Sequence, residues 1–106
     1  MLTYIFEFDI VPGKEDTFWK FMEEEGTPFW LQFPQVKSYQ VFSKLGGHCS
    51  FEGHVELESF SAFDEIWSHP DLGPVSQKTA QYTCNIQRRF LIHKLDYEKN
   101  NILYSA

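Results

Sequence analysis

Hydrophobic and polar positions alternate from Leu2 to Val11, with Leu2, Tyr4, Phe6, Phe8 and Ile10 on one side and Thr3, Ile5, Glu7, Asp9 and Val11 on the other. A period of two marks a half-buried strand. Pro12-Gly13 ends it, and from about Lys14 the period lengthens. Phe18, Trp19, Phe21 and Met22 form an inward arc opposite Asp16, Lys20, Glu23 and Glu24, which predicts a helix. Gly26-Thr27-Pro28 interrupts that helix. Thr27 as cap, with Pro28 at the first helical position, restarts a short turn carrying Phe29, Trp30 and Phe33.

Val36 to Ser43 is rich in β-formers, and Leu45-Gly46-Gly47 supplies the turn of a hairpin whose loop length leaves the register open. In the next strand Cys49, Phe51, Gly53, Val55 and Leu57 alternate with Ser50, Glu52, His54 and Glu56. Ser59 or Ser61 caps a helix whose apolar side is Phe60, Phe63 and Trp67, flanked by Ile66, and which stops at His69-Pro70 because a residue before proline is pushed out of the helical region. Val75, Thr79 and Tyr82 predict a short continuation helix. Ile86 to Leu95 is a fourth strand, apolar enough on both faces to be covered on two sides.

The element order is therefore β-α-β-β-α-β, an α+β ferredoxin-like arrangement with an antiparallel sheet in the order 4-1-3-2 and helices on one face. Residues 1–95 are expected to make a single domain and 96–106 a tail, whose Ile102-Leu103-Tyr104 either packs on the protomer or on a partner or frays as termini do by default. With helices over Tyr4, Phe6, Phe8, Phe51, Val55 and Leu57, the open face carries Ile5, Glu7, Asp9, Tyr39, Val41, His54, Glu56, Leu91 and His93. Such a mixed surface predicts a homodimer formed face to face, with Glu7, Asp9, His54, Arg89 and His93 as a paired network inside it.

Composition sharpens this picture. Eleven Phe, five Tyr and three Trp in 106 residues are more aromatic surface than a small monomer readily hides, so a shared interface or an aromatic cavity is expected. Fifteen acidic against nine basic residues give a net charge of −6, and only Arg88-Arg89 concentrates positive charge. Nucleic acid and membrane are thus not expected partners. The charged N-terminal strand is neither a signal peptide nor a membrane span, and a cytoplasmic location is expected. Cys49 and Cys84 lack CxxC spacing and are read as free thiols, about two strand spacings apart. His48, His54, His69 and His93 show no metal-ligand spacing, and no phosphate-binding loop or dinucleotide fingerprint is present, so no metal or cofactor is expected.

The order of elements, the Val11-Pro12-Gly13-Lys14 entry to the first helix, and Glu58-Ser59 followed by Phe63, Trp67 and His69-Pro70 resemble the dimeric α+β barrel proteins, and among them the antibiotic-biosynthesis monooxygenase-like group. The resemblance covers about residues 2–95. It implies a cavity between helices and sheet, holding a small aromatic substrate for oxygen chemistry without a bound cofactor. Trp67 resembles the helix tryptophan of the monooxygenases and Arg88 their cavity-facing arginine on strand four, whereas the asparagine they carry one turn before the tryptophan is Phe63 here. The histidine ligand of haem-degrading relatives has no counterpart, since after His69 the next histidine is His93.

Three side chains stand out as catalytic candidates. Trp67 is either a cavity wall or core. His69, before Pro70, is either a general base or a partner of the helix C-terminus. Arg88 shares its strand face with Ile86, Phe90 and Ile92, so its charge requires a carboxylate or an anionic ligand oxygen. Tyr4, Phe6, Trp19 and Phe51 are expected to complete the cavity. The alternative is a non-catalytic homodimer whose cavity binds a small apolar molecule or is filled by Phe.

Overall fold

The computed structural model of the protein describes residues 1–97; Ile102, Leu103 and Tyr104 of the expected tail contact lie outside them. Strand β1 (Leu2–Ile10) leads into α1 (Glu15–Phe21), a π-helical turn (Met22–Gly26) and α2 (Thr27–Leu31). The hairpin of β2 (Val36–Ser43) and β3 (Phe51–Leu57) follows, then α3 (Phe60–Trp67), α4 (Leu72–Tyr82) and β4 (Thr83–Ile92). All neighbouring strands pair antiparallel in the order β2-β3-β1-β4, the expected 4-1-3-2 arrangement seen from the other edge. The fold is ferredoxin-like α+β. No helix among the described residues is long and apolar enough to cross a membrane.

The core lies between the sheet and the helices. Leu2, Tyr4, Val55 and Leu57 pack against Phe29, Trp30 and Ile66, while Phe8 packs against Phe18, Phe21 and Met22. Trp19, expected in the inward arc, is instead 39% exposed and rests edge-on against Phe18 and Phe51.

Several local expectations are corrected by long-range contacts. Gly26-Thr27-Pro28 does not break the first helix: Thr27 is helical (φ −64°, ψ −48°) and caps nothing. The extra residue per turn of a π-turn relieves the clash that proline causes in a regular helix, so the axis continues through Pro28. Ser59, one of the two candidate caps, accepts a hydrogen bond from Ala62 N–H at 3.2 Å. Helix α3 presses its small-to-medium pair Ala62 and Ile66 onto the sheet, leaving Phe60 and Trp67 half-exposed at the flanks. An i, i+4 pair of modest volume lets the helix axis sit close to the strands, and the larger rings reach sideways.

Tyr39 and Val41 lie under the helices, not on the open face. Tyr39 opposes Val55 and Val41 opposes Gly53, and directly opposed residues share a face. A register shift between Val36 and Ser38 sets this, since one inserted residue flips every later side chain. Ile5 does face the open side but is 1% exposed, set between Arg89 and His54 on its neighbouring strands. Strand β4 starts at Thr83 and ends at Ile92, three residues from each expected bound, and α4 begins at Leu72. As an edge strand, β4 leaves Leu91 and Ile92 exposed, so it is not covered on two sides within the protomer.

Cys49 is not part of β3. It sits in the loop before it with a φ of 64°. That loop closes over the end of the sheet: Ser50 N–H donates to Asp9 (2.8 Å), Asn85 Nδ2 donates to the other Asp9 oxygen (3.0 Å), and Cys49 Sγ donates to the Asn85 carbonyl (3.1 Å). Both cysteines are free thiols.

Candidate functional site

A partly enclosed cavity of about 100 Å³ lies between the sheet and the helical layer. The alternation of β1 places Tyr4 and Phe6 on its floor, β2 contributes Tyr39, β4 contributes Arg88, and Trp67, Trp30 and Met22 close it from the helices. Gly53 makes this floor possible. It opposes Phe6 across β1 and β3, and a Cβ built there would meet the Phe6 ring at 2.2 Å. Only a residue without a side chain lets that ring lie flat on the sheet.

Trp67 and Arg88, two of the three candidates, thus line one cavity, together with the expected Tyr4 and Phe6. Phe51 and Trp19 do not line it; they pack on each other with ring centroids 5.3 Å apart. His69 is not brought to it either. Its ring packs edge-on against Phe33 and Phe29, and its Nδ1 accepts the Asp71 N–H at 3.1 Å. Trp67 stacks on Phe63, with centroids 4.9 Å apart, and meets Tyr4 edge-on at 6.1 Å. Phe63 therefore occupies one face of the indole.

Arg88 stands opposite Phe6 on the edge strand, at the exposed mouth of the cavity. Its Nε donates to the Tyr4 hydroxyl at 2.9 Å. Among the described residues no carboxylate lies within ion-pair distance of it. Burial pushes the Tyr4 phenol above its ordinary pKa, and the Arg88 charge and hydrogen bond pull the other way. Tyr39 is the residue sequence reasoning placed on the wrong face. Its hydroxyl is buried and has no hydrogen-bond partner among the described residues, and burial first, then the nearby Tyr4, raises its pKa strongly. The signal that would have found it is the β2–β3 register, which turn length alone does not supply. Among the described residues no histidine or carboxylate lines the cavity.

The open face is chemically different. Arg89 pairs with Glu7 and, at 2.9 Å, with Glu52; Lys44 reaches Glu7 at 3.1 Å, and His54 reaches Glu52 at 2.7 Å. Hydrogen bonds from Arg89 and Lys44 hold the Glu7 carboxyl down at about 2. Of the network expected from the sequence, Glu7, Arg89 and His54 come together, joined by Glu52 and Lys44. Asp9 bonds instead to Ser50 and Asn85, and His93 pairs with Asp96 at 2.8 Å. Among the described residues no group of three His, Cys, Asp or Glu side chains is placed to hold a metal ion.

No protein-family model matches the sequence, and no curated protein matches it either. Solved structures do match in shape. SnoaB, a cofactor-independent oxygenase from Streptomyces nogalater, superposes with a TM-score of 0.76 at 10% identity, over 90% of this chain and 94% of that one. A protein described as an antibiotic biosynthesis monooxygenase gives 0.69 at 16% identity, over 90% and 100%. A dabb family protein with a ferredoxin-like fold from Mesorhizobium loti gives 0.72 at 10% identity, over 88% and 96%. Identities this low speak to the fold alone, and on that level they agree: this chain has the ferredoxin-like α+β fold of these solved structures.

Proposed function

We propose that the protein is a cofactor-independent, monooxygenase-like enzyme that binds a small aromatic substrate in the cavity beneath its helices and works as a homodimer. The observation that carries this is the cavity itself: despite eleven Phe, the interior is left open beside Trp67, Tyr4 and Arg88. Cofactor-free oxygenation draws from the substrate all four electrons that reduce O2, so the substrate must be electron-rich, as an ionised phenol or enol is. One atom of O2 enters the product and the other leaves as water. The aromatic walls orient the ring, and Arg88 at the mouth favours a developing oxyanion. Trp67 serves as wall.

A cavity of about 100 Å³ is smaller than the ordinary pocket for a drug-sized ligand, which points to a single-ring substrate. Among the described residues no histidine or carboxylate base lines the cavity, and this favours a second reading in which the protein binds the aromatic molecule without turning it over. Trp fluorescence titration with hydroquinone, followed by oxygen-electrode measurement, separates the two. Saturable quenching with oxygen uptake above the buffer rate supports the enzyme, and quenching without uptake supports the binding protein. Absence of quenching removes both. Dimerisation is supported by Phe42 and Leu91, which stay 45% and 52% exposed beside the ion network. Sedimentation equilibrium at micromolar concentration is expected to give the dimer mass; a monomer would overturn that part.

A further inference from the structure

Gly26 is a glycine that its backbone does not ask for. Its φ of −67° and ψ of −52° are those of an ordinary right-handed helix, where alanine is the more favourable residue. Space is what excludes a side chain. A Cβ at position 26 would meet the Met22 Sδ at 2.8 Å and its Cε at 3.4 Å. The π-turn creates this crowding. The Thr27 N–H bonds to the Met22 carbonyl, and each helical Cβ tilts back toward the preceding turn, so position 26 leans onto position 22. The Met22 thioether therefore lies in the notch where a side chain at 26 would otherwise stand. Met22 and Gly26 are both buried, and both line the cavity.

The volume of the cavity gives this notch a consequence. An apolar cavity of about 150 Å³ holds one benzene ring, and here about 100 Å³ is open. One ring thus fits only if a wall gives, and two fused rings do not fit. Most of the walls are held. Tyr4 and Phe6 are braced ring against ring, Trp30 packs on Tyr4 and Phe29, and Trp67 stacks on Phe63. Arg88 is tied to the Tyr4 hydroxyl. Met22 is different: it is unbranched, and its thioether changes position by bond rotation without moving a ring.

We propose that Met22 and Gly26 together determine the size of aromatic molecule that the cavity accepts. Met22 is the adjustable wall, and the space left by Gly26 keeps its thioether out of the ring's place. The class selected is a single benzenoid ring, with fused bicyclic compounds refused. This deepens the enzyme reading and rests on the cavity being the ligand site; no reaction step involves either residue.

The test compares phenol with 1-naphthol, which carries the same hydroxyl on two fused rings, by isothermal titration calorimetry. Wild-type protein is expected to bind phenol more tightly than 1-naphthol, against the order of their apolar areas. Met22→Ala removes the Sδ and Cε end of the wall and is expected to improve 1-naphthol binding at least about 10-fold, reversing the preference. Gly26→Ala drives the thioether out of its notch into the cavity and is expected to weaken phenol binding about 10-fold. Its Tm is expected not to fall, because alanine suits the helix and the thioether is free to turn. The Gly26→Ala/Met22→Ala protein has no thioether to displace and is expected to bind phenol again. That rescue is what a merely structural pair would not show.

Wild-type protein that binds 1-naphthol as tightly as phenol overturns the proposal, as does a Met22→Ala protein with an unchanged ratio between the probes; phenol binding itself then leaves the cavity as an aromatic site. So does a Gly26→Ala protein that binds phenol like the wild type or that loses its fold, or a double variant that does not regain binding. If neither probe binds the wild type or any variant, the cavity is not a ligand site and the enzyme reading falls with it. Gly26→Ala adds one methyl group to a helix, so it decides the matter even where Met22→Ala fails to fold.

Discussion

Arg88 and Arg89 are neighbours on one strand, yet they belong to two chemical worlds. The alternation of β4 turns Arg88 toward the aromatic face, where its Nε meets the Tyr4 hydroxyl and, among the described residues, no carboxylate lines the cavity. It turns Arg89 to the open face, where Glu7 and Glu52 neutralise it. Both side chains are partly exposed, so burial does not distinguish them. What differs is compensation. A cation already paired with two carboxylates has little left to offer a ligand, whereas one that bonds only a neutral phenol keeps its charge available.

The contrast between the two faces can be broken in order of expected effect. Gly53→Ala acts on the floor of the aromatic face. Its Cβ would stand 2.2 Å from the Phe6 ring, which must tilt into the cavity. Stability is expected to fall by about 1–3 kcal/mol, as overpacked cores do, with loss of aromatic-probe binding. Urea unfolding and Trp quenching check the two halves; unchanged binding would mean that Phe6 does not shape the site.

Next comes the arginine pair itself. Arg88→Met is expected to weaken phenolate binding about 10-fold with little change in Tm, since it removes a charge acting at an exposed mouth. Arg89→Met is expected to leave binding alone and lower the Tm by a few degrees, because Glu7 and Glu52 lose their shared partner. If both variants behave alike in titration and in thermal melts, the distinction between the faces is wrong.

Ser59→Ala provides a baseline that belongs to neither face. Loss of the N-cap bond to Ala62 is expected to cost about 1 kcal/mol in denaturant unfolding, with neither ligand affinity nor acid sensitivity altered.

The smallest effect at neutral pH is expected from Glu7→Gln, and its signature lies in acid. Hydrogen bonds from Arg89 and Lys44 hold the folded carboxyl at about 2, against the ordinary 4.5. Because the folded pKa is the lower one, the ion pairs contribute fully above the unfolded pKa. That contribution is lost as pH falls from about 4.5 toward about 2. The Tm of wild-type protein should therefore decline more steeply than that of Glu7→Gln through this window. Parallel curves would show that the open-face network adds nothing to stability, which is the usual result for exposed pairs.

Much of this arrangement was legible in the chain before any contact was known. The period-two runs of β1 and β3, the helical arc at Phe18, Phe21 and Met22, the Ser59 step and the β-α-β-β-α-β order are all local signals, and each survives in the fold. Arg88 announced itself as a charge on an apolar strand face, and Trp67 as a ring on a helix beside that face. Both line the cavity. Tyr39 was assigned to the opposite side of the sheet, and Trp19 to the interior.

These two groups of outcomes have one physical cause. Whether a segment is strand or helix, and which residues share its stripe, follows from its own periodicity, so the sequence by itself determined the elements, their order and the aromatic character of the covered face. Which way β2 is turned depends on a register shift between Val36 and Ser38, and how α3 is rotated depends on Ala62 and Ile66 fitting closer to the sheet than Phe60 does. Such choices are made between segments, where a single residue of slip or a fraction of a helical turn changes every contact. Only the tertiary structure decided them, and with them that Tyr39, rather than His69, stands beside Tyr4 and Arg88.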